Sequence, residues 1–93
     1  MTVYVDNARI RWNPPHCRKR TWFMSHMFAD TDEELHAFAR ELGLKPEWHQ
    51  CPPKASFSHY DVTDTVRKRA VKLGATPIIY RDLPAKLKEM GRR

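Results

Sequence analysis

The chain has 93 residues, 41% hydrophobic and 11% aromatic, enough for one small globular domain spanning 1–93. Seventeen Lys and Arg against eleven Asp and Glu leave a net charge of +6, which points toward anionic partners. Two cysteines exclude a disulfide-rich scaffold, and no run nears the ~18–20 apolar residues of a membrane span.

The N-terminus, MTVYVDNARIRW, lacks a signal peptide's layout, so a cytoplasmic setting is expected. Residues 2–5 are β-rich, end at Asp6 and predict a first strand. Residues 13–20, NPPHCRKR, predict a loop with two prolines and a basic cluster. Residues 22–29 alternate, with Trp22, Met24, His26 and Phe28 on one face and Phe23, Ser25, Met27 and Ala29 on the other. Both faces are largely apolar, so this strand is expected to be central and covered on two sides.

Thr31 and Glu34 form a capping box ahead of a helix whose apolar stripe is Leu35, Phe38, Ala39 and Leu42. Gly43 stops that helix. A second proline-rich loop follows over 45–56, then a third strand over 57–62 with His59 and Asp61 on one face. Thr63 caps a second helix carrying Val66, Ala70 and Leu73 inward, closed by Gly74. Residues 76–80 predict a fourth strand, and a last basic helix starts near Pro84. The pattern A-x-x-L-G-x-x-P recurs at 39–46 and 70–77, and each copy has a Ser-His pair upstream, Ser25-His26 and Ser58-His59. The order predicts a small single-domain α/β layer fold. About four strands form a mainly parallel or mixed sheet, with two to three helices.

The charge is not spread evenly. Residues 1–29 sum to +4, residues 30–64 to −5 and residues 65–93 to +7. A phosphate-binding face would draw on the two basic ends, with Arg9, Arg11, Arg67 and Arg69 as its candidates. Solvated surface is the alternative reading of the same residues.

Four polar residues interrupt apolar strands: Asp6, His26, His59 and Asp61. Polar groups there cost stability unless satisfied, which makes them the candidate catalytic set. His59 and Asp61, at i and i+2, project side by side, as suits a histidine oriented by a carboxylate. The same four residues are candidate ligands for a divalent metal as cofactor. The two histidines are equally a metal-free acid and base pair. His16, Cys17, His49 and Cys51 offer a zinc ligand set, but their spacing does not match a zinc clip. Trp12, Trp22 and Trp48 read as core anchors, and Trp12 and Trp48 alternatively as stacking platforms for a base. There is no P-loop, no G-x-G-x-x-G and no nucleophile elbow.

The runs YVDNARI (4–10), SHMFADTDEELHAFARELGL (25–44), W-x-Q (48–50) and HYDV (59–62), with the Arg-rich helix ending in LGA (73–75), resemble a short bacterial and bacteriophage family. That family is catalogued only as a domain of unknown function. The resemblance covers nearly the whole chain and implies a stand-alone domain, in the host cytoplasm if phage-encoded, with no established activity. Two departures are visible: CPPKASFS separates W-x-Q from HYD, and the first loop is longer than in the family. Both cysteines fall in these longer loops.

Three functions fit these observations. The first is an accessory binding module for a nucleotide, a nucleic acid or a host protein. The second is a metal-assisted phosphoesterase or nuclease-like enzyme using the His/Asp set. The third is a structural or oligomeric accessory. A homodimer is expected over a monomer, because a chain this short closes a deep pocket poorly alone.

Overall fold

The computed structural model describes residues 2–12 and 21–91. Five strands, β1 (Val3–Val5), β2 (Ile10–Trp12), β3 (Trp22–Ala29), β4 (Tyr60–Thr63) and β5 (Thr76–Pro77), form one mixed sheet. Three α-helices, α1 (Asp32–Glu41), α2 (Asp64–Lys72) and α3 (Leu83–Glu89), complete the fold. The class is α/β.

β3 is the axis of the sheet. Its alternation buries Met27 and Ala29 with Val3, Val5, Tyr60 and Val62 in a core that also holds Leu35 and Ala39 of α1 and Ala70 of α2. The opposite face buries Phe28 with Tyr4, Phe57, Leu83 and Leu87, so α3 covers that side. The strand is therefore covered on both faces, but α3 covers only one end of its second face. Trp22, Met24 and His26, further back along that face, are left partly or largely exposed.

The sheet is mixed rather than mainly parallel: only β1 and β5 pair in parallel, while β1, β2 and β4 all run antiparallel to β3. A helical crossover of about a dozen or more residues is the usual connection between parallel strands, yet β4 runs antiparallel to β3 although α1 lies between them. Residues 42–59 carry the chain on from α1. β4 then enters with Tyr60 opposite Met27 and leaves with Thr63 opposite Met24. β2 falls outside the sequence expectation, because three exposed residues beside a proline pair show no strand pattern. The third strand starts later than expected, preceded by a bridge between Gln50 and His59. The fourth shortens to Thr76–Pro77, and residues 80–82 turn instead into a 3-10 helix.

Both helices start and stop as their sequences require. Thr31 and Thr63 cap α1 and α2 by accepting from the amides of Glu34 and Val66. The Glu34 carboxylate takes the Thr31 hydroxyl at 3.2 Å. The repeated A-x-x-L-G-x-x-P is two Schellman caps. Leu44 N–H bonds Ala39 carbonyl at 2.9 Å and Ala75 N–H bonds Ala70 carbonyl at 2.9 Å. Gly43 and Gly74 take the positive φ values, +80° and +115°, that this geometry needs.

β1 and β2 lie along one edge of β3 as a single interrupted strand. Val5 faces Met27 and Ile10 faces Met24, so five steps on one side span three on the other. The surplus residues form a bulge, with Arg9 at φ +48°. Arg67 of α2 pins it by donating to the Asp6 carbonyl at 2.7 Å. This bulge turns the Asp6 carboxylate inward.

Candidate metal centre

Asp6 is fully buried, which a carboxylate tolerates only when its lone pairs are satisfied. Its Oδ1 accepts from the amides of Ala8 at 3.1 Å and His26 at 2.8 Å. Its Oδ2 lies 2.7 Å from Nδ1 of His26. A buried carboxylate between these donors accepts, so His26 carries its proton on Nδ1 and presents Nε2 with a lone pair.

His59 has the same polarity for a different reason. Its Nδ1 is 2.9 Å from the Phe57 carbonyl, an oxygen that can only accept. Nδ1 is thus the donor, and Nε2 of neutral His59 is a lone pair. That lone pair stands 3.3 Å from Oδ1 of Asp61, itself an acceptor. Two acceptors at this distance need a proton or a cation between them. Oδ2 of Asp61 is held by Gln50, whose Nε2 donates at 2.6 Å.

The register brings the two histidines together. His26 pairs with Asp61 across β3 and β4, and the rings of His26 and His59 meet with centroids 5.0 Å apart. One ligand atom each from His26, His59 and Asp61 lies within 4.8 Å of the others. Tetrahedral ligands about 2.1 Å from a metal lie about 3.4 Å apart. The His59–Asp61 pair is already at that spacing. His26 sits in reach of it, and Asp61 is 35% exposed.

Of the four residues singled out by sequence, three thus offer ligand atoms, and Asp6 stands behind His26 as its orienting carboxylate. Tyr80 and Gln50 complete the site and were not singled out. Tyr80 stacks on His26 at 5.7 Å and 18°, held by its amide donating to Asn7 Oδ1 at 2.7 Å. Nothing in the sequence pointed to Tyr80. Gln50 lay within the W-x-Q motif but without a role.

The surrounding charge sets the protonation of the centre. Burial pulls the His26 pKa down, but the Asp6 hydrogen bond and the charges of Asp6 and Asp61 outweigh it, leaving it above the usual 6.5. Burial pushes Asp61 up, but the hydrogen bond His59 makes when its Nε2 is protonated, the hydrogen bond from Gln50 and the histidine charges outweigh it and lower its pKa. A raised histidine pKa favours folding below the unfolded value and loses that contribution as pH rises through the folded one. In metal-free protein, NMR titration of the His26 ring is therefore expected to give a midpoint above 6.5. A midpoint below it would contradict this balance.

The candidate arginines do not gather. Arg9 forks onto Asp64, with Nη2 3.0 Å from Oδ2, and lies over the Phe23 ring. Arg67 is committed to the bulge, and Arg69 is exposed on α2. Of the four, Arg11 lines the cavity that opens beside His26, His59 and Asp61, about 890 Å³ in volume. The tryptophans are not core anchors: Trp12, Trp22 and Trp48 are 43%, 37% and 50% exposed, and all three line that cavity. His16 and Cys17 lie outside the described residues. Cys51 is an exposed free thiol, and His49 Nε2 bonds Ser58 Oγ at 2.7 Å.

Ser58, His49 and Asp32 have the composition of a hydrolytic triad but the wrong order. The Ser58 hydroxyl donates to Asp32 Oδ1 at 2.7 Å and so accepts from His49 Nε2–H. His49 cannot also take the serine's proton, as a triad requires. The network instead ties the second loop to the start of α1, beside the His36–Tyr60 hydrogen bond at 2.8 Å.

The model of a protein family described as "Protein of unknown function (DUF4031)" matches residues 3–90. The chain belongs to the DUF4031 family. The match spans every strand and helix and includes Asp6, His26, His59 and Asp61. No curated protein and no solved structure matches the chain. Among the described residues, no helix is long and apolar enough to cross a membrane.

Proposed function

We propose that this domain binds one divalent transition-metal ion on His26, His59 and Asp61 and uses it to hydrolyse a phosphoester. One observation carries the reading: both Nδ1 atoms are occupied by acceptors, so both Nε2 lone pairs are left for an ion beside Asp61. Two imidazoles favour zinc, iron or manganese over magnesium and calcium, and three protein ligands leave a position open. A metal held by His26, His59 and Asp61 would supply a bound water of lowered pKa and polarise a phosphoryl oxygen. In that hydrolysis the water oxygen would bond to phosphorus, the P–O ester bond would break with its electrons on the leaving oxygen, and the water's proton would end there.

The positive net charge and Arg11 in the cavity wall support an anionic substrate. The free thiol of Cys51 fits a reducing cytoplasmic setting. The test is hydrolysis of bis-p-nitrophenyl phosphate and a labelled oligonucleotide with zinc or manganese. Turnover that EDTA abolishes supports the reading. Metal binding without turnover leaves the domain a binding module, and EDTA-resistant turnover assigns the two histidines to metal-free acid–base chemistry.

A further inference from the structure

We infer that the cavity beside the metal centre takes a nucleotide unit with an unpaired base, which stacks on the Trp12–Trp22 pair. The inference deepens the phosphoesterase reading and rests on it for the place of the phosphate, while the stacking itself requires no metal.

Trp22, Met24 and His26 occupy one face of β3 at two-residue spacing. At ~3.3 Å per residue, Trp22 is about 13 Å from His26 along the strand. Trp12 faces Trp22 across the β2–β3 ladder, with ring centroids 5.8 Å apart at 60°. This is the part of the face that α3 leaves uncovered. The cavity therefore has an aromatic end formed by the indoles and Ile10, and a polar end formed by His26, His59 and Asp61.

A ligand that fills both ends needs a planar apolar ring joined to a metal-seeking anion. A nucleotide has that form, and stacking serves every base because each has a π-face. Among the described residues of the wall, Arg11 lies with Glu47 and Asp61.

The experiment is fluorescence anisotropy of a labelled thymidine tetranucleotide in EDTA, with the same sequence as a duplex, a mononucleotide and inorganic phosphate as competitors. The expected result is binding of the single strand, competition by the mononucleotide, and little from phosphate or duplex. W12A and W22A, both at exposed positions and checked for folding by circular dichroism, should each weaken it by about tenfold. Unchanged affinity in folded variants, equal competition by phosphate, or no binding of the single strand overturns the inference. Because the titration is run in EDTA, failure of the metal site leaves it untouched, and its own failure leaves the metal site standing.

Discussion

Asp6→Asn is expected to lower zinc affinity by about 10–100-fold while leaving the chain folded, the range found for partners that orient metal-bound histidines. Both oxygens of Asp6 accept from donors: two amides at Oδ1 and the His26 ring at Oδ2. Asparagine supplies only one oxygen, so its NH₂ must face a donor whichever way it turns. If it faces His26, the ring takes the other tautomer and Nε2 loses its lone pair. If it faces the amides, the bulge is left with unsatisfied buried donors. Either outcome costs about 1–3 kcal/mol of stability. The His26 pKa falls too, because the Asp6 charge that opposes the effect of burial is gone. Calorimetric zinc titration together with thermal melting checks the prediction. Wild-type affinity in a folded variant would show that Asp6 is structural only.

His59→Ala is expected to reduce metal affinity by more than about 100-fold, beyond the outer-partner range, because it removes one of three ligands. Metal-induced thermal stabilisation should vanish with it. Asp61 should move back toward the usual carboxylate range, since the hydrogen bond and charge of His59 are among the forces that lower it. His59 is buried, so truncation also opens space beneath the sheet. Asp61→Asn, on a side chain 35% exposed, repeats the test without that cost. Retained metal affinity in both folded variants would move the ion elsewhere.

These two substitutions separate what the sequence made legible from what it did not. Asp6, His26, His59 and Asp61 stood out because polar side chains on apolar strands are costly, and each proves to be satisfied by a specific partner. Their division of labour was hidden. That Asp6 serves His26 from behind depends on the two-residue slip between β1 and β2, and the slip depends on a strand, Ile10–Trp12, too short and too exposed to show a pattern.

α1 and β3 were readable because their signals are local: an i, i+3, i+4, i+7 stripe closed by Gly43, and an eight-residue run with apolar side chains on both faces. The direction of β4 was not local. It is set by pairing of Tyr60–Thr63 with Met24–Met27, more than thirty positions away, which no nearby pattern encodes. Tyr80 stacks on His26 across 54 positions of chain, with its amide donating to Asn7. The arginines misled for the opposite reason. Charge is obvious in sequence, but Arg9 and Arg67 are spent on Asp64 and the bulge carbonyl.

The most direct test is an NMR titration of the histidine ring resonances of the wild-type chain with zinc, a diamagnetic ion. His26 and His59 are expected to shift together and saturate at one ion per chain, while His36 and His49 stay in place. No shift at His26 and His59, or saturation through His16 and His49, would contradict this.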